Sequence, residues 1–224
     1  MKRLKLCNIS RLISCDDRDT VYEHVDLYAE DGVIRAIGPR LPQQADTVID
    51  VVRLSSLSGM GELMKHGCTT CFDHHYVFPA GAGDLIGAQL EAAEALGIRM
   101  ACSRGSMDLS VKDGGLPPDS VVQTVDEIMA DSMRLIEAYH DPSFGSMHTL
   151  ALAPCSPFSV SPELLRQSAI LARQYGVRLH THLCETKDEE AYMLAREGMR
   201  PLEFMQTLGW VGPDVWYAHG IHFN

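Results

Sequence analysis

Short apolar runs alternate with turn signals along the first fifty residues. Val25-Asp26-Leu27-Tyr28-Ala29 and Val33-Ile34-Arg35-Ala36-Ile37 flank Glu30-Asp31-Gly32. An Asp-Gly step between two such runs predicts a β-hairpin, and Gly38-Pro39 ends its second strand. Residues 1–52 therefore read as a small β module, part of a β-sandwich, too short to hold a large core alone. From about residue 55 the period lengthens. Helical spacing predicts helices over 55–66, 84–96, 118–140 and 162–175, with further helical segments from 189. Gly67, Gly97 and Gly176 stop three of them, Asp119 or Ser120 caps the third, and Ser161 caps the fourth. Between the helices lie apolar strand-like runs at 69–77, 98–103, 147–153, 177–183 and 215–221.

Repeated strand–helix units predict a parallel sheet in an α/β protein, here over residues 53–224. Polar, reactive side chains stand at the C-terminal ends of the five strands: His74, Arg104, Cys155, His182 and His219. A (β/α)8 barrel builds its active site on that edge. A doubly wound open sheet also binds ligands at strand C-ends. No Gly-rich phosphate loop follows any of these strands, so the barrel is the expected architecture.

Composition narrows the partners. The 224 residues carry a formal net charge of −11, which repels a phosphate backbone, so no nucleic-acid partner is expected and a free small molecule is. No run of about 18 apolar residues suggests a membrane span. The basic start, Met1-Lys2-Arg3-Leu4-Lys5, lacks the continuous apolar stretch of a secretory signal. Seven cysteines at irregular spacing imply reduced thiols and a cytoplasmic location. Cys68 and Cys71 have redox-motif spacing but sit at a helix-to-strand turn without a second pair, so neither metal nor redox use is expected of them.

The sharpest chemistry lies in Val177-Arg178-Leu179-His180-Thr181-His182-Leu183-Cys184-Glu185. Strand alternation puts His180 and His182 on one face, with Glu185 just past the strand end. An imidazole and a carboxylate so placed can serve as metal ligand and proton carrier around an activated water. Two packed histidines and a surface glutamate are the structural alternative, at the cost of burying imidazoles that need partners. One strand–helix unit later His219 ends an apolar strand, and Gly220 would let a ligand approach the backbone. His74 could touch substrate or fill a polar rim. Arg104 could hold a purine oxo group through its planar fork or form a structural salt bridge.

At these residues the chain resembles the amidohydrolase superfamily, in particular the branch of guanine, 8-oxoguanine and hydroxytriazine aminohydrolases. His182-Leu183-Cys184-Glu185-Thr186 is similar to the fifth-strand pattern, which implies His182 as a zinc ligand and Glu185 as proton shuttle. Ala218-His219 resembles the sixth-strand histidine that orients the attacking hydroxide. Ala153-Pro154-Cys155-Ser156-Pro157 resembles the fourth-strand substrate loop, and Ser103-Arg104-Gly105-Ser106-Met107 with Asp113-Gly114-Gly115 looks most like 8-oxoguanine deaminases. The resemblance implies an α/β fold: an incomplete TIM-like (β/α)8 barrel, strands two to six, behind the N-terminal β module. It also implies catalytic roles for Glu185 and His219 and substrate contacts from Arg104, Cys155 and His74.

The departures are as informative. After Val48-Ile49-Asp50 the family continues into a first barrel strand ending in a His-x-His metal pair, whereas here Val51-Val52-Arg53 leads straight to a helix. The match also ends at Asn224, before the strand that carries a metal-binding aspartate. Of the implied protein ligands only His182 is present, so one Zn2+ is expected to be weakly held or absent. The implied reaction is zinc-dependent hydrolytic deamination of an oxidised, 8-oxoguanine-like purine base. A hydroxytriazine or guanine aminohydrolase, a catalytically silent fragment, and a non-catalytic purine-binding or assembly protein are the alternatives. Five barrel strands leave two open edges, so a homo-oligomer, most simply a dimer, is expected.

Overall fold

The Asp31-Gly32 turn joins β2 (Val21–Glu30) to β3 (Val33–Gly38) as an antiparallel hairpin, with φ of 48° and 81° at its two central residues. Positive φ at both positions is what a tight hairpin turn of matching twist demands. In the computed structural model, which describes residues 2–14, 16, 18, 20–79 and 83–223, β1 (Arg3–Ile13) and β4 (Thr47–Asp50) complete a four-stranded sheet. Its order is β3-β2-β1-β4, with β4 parallel to β1. Asp26 is 8% exposed in this sheet and is satisfied by the Leu41 amide at 3.0 Å and the Lys5 ammonium at 3.2 Å.

No strand separates β4 from the first helix. Asp50 ends β4 and its carboxylate accepts the amides of Val52 and Arg53 at 2.9 and 3.1 Å, so α1 starts at once and spans Val51–Lys65. The helix expected from residue 55 thus begins four residues earlier, because Asp50 supplies the cap. Helix α2 (Leu85–Leu96) packs against α1, with Asp84 as its N-cap and Gly97 in the left-handed region at its end. These elements form the first of two compact units, residues 1–69 and 81–98, which takes in more of the chain than residues 1–52.

The second unit, residues 70–80 and 99–224, is built on a five-stranded parallel sheet. Its strands are β5 (Thr70–Asp73), β6 (Arg99–Ser106), β7 (His148–Pro154), β8 (Arg178–Leu183) and β9 (Val215–His219). They lie side by side in chain order. A doubly wound sheet reverses its order at a switch point. The monotonic order here is that of a curled, incomplete (β/α)8 barrel. Leu150, Ala151, Leu152 and Ala153 of β7 are all buried, as expected of a parallel strand covered on both faces. Helices α3 (Val125–Tyr139) and α4 (Pro162–Tyr175) cover the strands, followed by α5 (Lys187–Glu197) and α6 (Pro201–Thr207). Trp210 is fully buried and its indole N–H donates to the Leu165 carbonyl at 2.8 Å.

Other boundaries also differ from expectation. The helix expected over 118–140 is a short 3-10 turn, Asp119–Val121, and then α3, because Thr124 and Glu127 form a capping box that outcompetes Asp119 and Ser120. Strand β5 stops at Asp73, so residues 74–79 form a loop. Strand β6 runs on to Ser106, which places Arg104 inside the strand rather than at its end. No helix among the described residues is long and apolar enough to cross a membrane.

Candidate active site

The C-terminal ends of β5, β7, β8 and β9 bring together His74, Cys155, His182, Glu185 and His219. The orientation of His182 is set by one carbonyl. Cys155 O accepts the His182 backbone N–H at 3.1 Å, lies 2.7 Å from His182 Nδ1, and accepts the Thr181 hydroxyl at 3.2 Å. A carbonyl can only accept, so Nδ1 carries a proton, and in the neutral ring Nε2 is the nitrogen that holds the lone pair. The His74 ring centre lies 4.3 Å from that of His182, and the His219 ring centre 5.3 Å from it.

Glu185 and His219 face each other across the ends of β8 and β9, with Glu185 Oε2 3.5 Å from His219 Nε2. Both strand ends carry unusual backbone. Cys184, just before Glu185, has φ 55°, and His219 has φ 69°. Non-glycine residues rarely take this conformation, which is held here by surrounding bonds. Glu189, 2% exposed, accepts the amides of Cys184 and Glu185 at 2.8 and 2.9 Å. The amides of Gly220 and His222 donate to Leu183 and Cys184 carbonyls at 3.0 and 2.9 Å. The two strand ends are thereby fixed to each other and to the start of α5.

Burial governs the electrostatics. It pushes His74 down to about 3, helped by the neighbouring His182 and His180 and opposed by the Ala153 carbonyl. It pushes His180 down to about 4, against a hydrogen bond to the Trp216 carbonyl. The Cys155 thiol is pushed up, again mainly by burial. These imidazoles are neutral and the thiol protonated at neutral pH.

The residues expected to contact substrate separate. Cys155 and His74 are at the cluster. Arg104 is not available to it: its side chain is fully buried, with Nε 2.7 Å from Asp131, Nη2 2.8 Å from Gln123, Nη1 donating to Gly105 O, and the guanidinium 3.9 Å from the Phe78 ring centre. The salt-bridge alternative describes it, since a fork with every edge engaged inside the protein has none left for a ring. His180 shares a face with His182, yet stacks on Trp216 at 4.7 Å and meets Phe72 edge-on at 4.9 Å, which makes it a packing residue. Gly220 does not leave room for a ligand either, because a Cβ there would lie 2.5 Å from the Phe223 ring. Glu189 went unnoticed in the sequence as a site residue, although the Thr186-x-x-Glu189 spacing is a helix-start signal. A cavity of about 660 Å³, lined by Phe72, Ala101, His140, Ala151, Arg178 and Trp216 among others, includes none of the cluster residues.

The zinc ligands implied by the family resemblance are not assembled by these residues. His182 is present, but β4 passes into α1 with no strand between them to carry a His-x-His pair.

Residues 30–224 match the model of the Amidohydrolase family. The chain is 49% identical over 183 residues to 8-oxoguanine deaminase from Pseudomonas aeruginosa, covering 82% of this chain and 41% of the relative. It is 43% identical to hydroxydechloroatrazine ethylaminohydrolase from Pseudomonas sp. strain ADP, over 78% of this chain and 36% of the relative. Among solved structures, atrazine chlorohydrolase from Arthrobacter aurescens TC1 complexed with zinc superposes with a TM-score of 0.74 at 28% identity, over 99% of this chain and 61% of that one. The chain thus spans less than half the length of the curated relatives it matches.

Proposed function

The chain belongs to the Amidohydrolase family, and from that premise we propose that it serves the hydrolytic deamination of an oxidised purine base of the 8-oxoguanine kind. Relatives at 49, 43 and 36% identity are an 8-oxoguanine deaminase, an ethylaminohydrolase and an isoxanthopterin deaminase, which supports removal of an amine from a nitrogen heterocycle. The observation that carries the reading is the Glu185–His219 pair, 3.5 Å apart beside His182 at the ends of adjacent strands.

Deamination of such a ring needs water to add to the carbon bearing the exocyclic amine, and it needs a proton moved from that water to ring and leaving nitrogen. Glu185 is exposed at the rim and its main chain is held by Glu189, so its carboxylate can take the proton and return it. His219 stands within reach to orient the water and steady the tetrahedral centre. Cys155 and His74 line the approach to the ring. Arg104 braces β6 through Asp131, and so holds the strand next to β7 in place. A net charge of −11 favours a small uncharged ring over a nucleic acid.

The test is ammonia release from 8-oxoguanine, guanine and hydroxyatrazine, measured for this chain and for a chimera in which residues 70–223 replace the matching stretch of the Pseudomonas aeruginosa relative. Turnover of 8-oxoguanine by the chimera above the other two rings is expected. A folded chimera that prefers hydroxyatrazine or guanine would assign the ring differently. A second reading, binding without turnover by this chain alone, is favoured by the direct passage from β4 to α1. Its mark is 8-oxoguanine affinity with no ammonia.

A further inference from the structure

One ring nitrogen of His74, the Cys155 sulfur and one ring nitrogen of His182 all lie within 4.8 Å of one another. They come from three different segments: the loop after β5, the end of β7 and β8. Only His182 belongs to the ligand set that the family resemblance implies. Two features of the trio point to an occupant at its centre. Both ring nitrogens of His74 are shielded from solvent, and neither reaches a hydrogen-bond partner of good geometry. An unsatisfied buried polar atom costs about 1–3 kcal/mol. Cys155, in turn, offers its carbonyl to His182 Nδ1 at 2.7 Å, which fixes the tautomer that leaves Nε2 free to bind. An imidazole whose second nitrogen donates to a carbonyl is the usual arrangement of a metal-bound histidine.

We propose that this chain holds one soft divalent metal ion, Zn2+ or Co2+, through His74, Cys155 and His182, a donor set different from the one its relatives imply. Two imidazoles and a thiolate select zinc or cobalt over oxygen-seeking Mg2+ or Ca2+. Bond lengths of about 2.0–2.3 Å require donor separations of about 3.3–3.7 Å, so the trio closes by side-chain rotation of roughly 1 Å. The Cys155 thiol gives its proton to solvent as the sulfur–metal bond forms. Three protein donors leave a position for solvent. The trio shares side chains with the deamination site proposed above, but metal binding needs no turnover, so its test stands or fails separately from that reading.

Titration of the reduced full chain with Co2+, read by near-ultraviolet absorption, tests it. A thiolate-to-cobalt charge-transfer band that saturates at one ion per chain and disappears on adding Zn2+ is the expected result. Cys155→Ser abolishes the band, while Cys68→Ser and Cys71→Ser keep it. His74→Ala lowers Co2+ affinity by at least about tenfold, the loss seen for even an indirect partner of a metal. A second measurement needs no variant: Zn2+ slows alkylation of Cys155 by iodoacetamide, mapped by mass spectrometry. Absence of the band, its survival in Cys155→Ser, unchanged affinity in His74→Ala, or equal Cys155 alkylation with and without Zn2+ would each overturn the proposal.

Discussion

The Glu189 carboxylate accepts the backbone N–H of Glu185 at 2.9 Å while its other oxygen accepts that of Cys184 at 2.8 Å. One buried side chain thus holds the left-handed turn at Cys184 and aims the residue that follows it. Replacing Glu189 by Ala leaves two amides without their partner. The expected loss is roughly 2–3 kcal/mol of unfolding free energy, because a stranded donor costs more than a hydrogen bond contributes on balance. Urea unfolding of Glu189→Ala measures it. A change below about 0.5 kcal/mol, the range of ordinary surface substitutions, would mean the clamp is not made.

Gly105 fits β6 beneath the loop after β5. Its amide donates to the His75 carbonyl at 2.8 Å, and a Cβ there would lie 2.2 Å from that same oxygen. Gly105→Ala therefore pushes the loop that carries His74 away from the sheet. Overpacking of this kind costs about 1–3 kcal/mol. The check is a lower urea midpoint together with a changed His74 imidazole resonance in NMR. An unaltered resonance would contradict the close approach.

His140 accepts the Leu150 amide on Nδ1 at 3.1 Å, so the ring must be neutral, and burial lowers its pKa. The unfolded chain takes up the proton first as pH falls. Stability contributed by the neutral ring is complete above about pH 6.5, the unfolded value, and is lost as pH drops from there towards the folded value. His74, His75 and His180 are lowered as well and act in the same direction. Urea unfolding between pH 7.5 and pH 5 is expected to show falling stability, with a shallower slope in His140→Gln. Equal slopes would show that His140 is not buried neutral.

Strands β5 and β9 each have a single strand neighbour among the described residues. Unpaired strand edges recruit other strands. The isolated chain is expected to run as a dimer or larger species in size-exclusion chromatography with light scattering. A monodisperse monomer with a sharp thermal melt would show that both edges are covered some other way.

Much of this organisation was legible in the chain. The Asp31-Gly32 hairpin, the Gly97 and Gly176 stops and the Ser161 cap are local signals whose energetics involve neighbours in sequence, and each appears where expected. That His182, Glu185 and His219 lie near one another could be read from strand-end position together with residue type. Three features were not legible, two of them because they depend on contacts far apart in sequence. Arg104 is claimed by Asp131 and Gln123, 27 and 19 residues away. His180 stacks on Trp216 of the next strand. The space above Gly220 is filled by Phe223, through a turn that no periodicity marks. Thr124 capping α3 in place of Asp119 was readable from the Thr124-x-x-Glu127 capping box and was outweighed by the longer apolar pattern.

The central claim is that Glu185 carries the proton in deamination, and Glu185→Gln in the chimera described above tests it most directly. Gln keeps the size and hydrogen-bonding reach of Glu but cannot accept the proton. Ammonia release from 8-oxoguanine should fall by about 100-fold or more, the usual contribution of a positioned general base, with zinc content and 8-oxoguanine affinity retained. Turnover within a few fold of the parent chimera would remove Glu185 from the reaction and contradict the assignment.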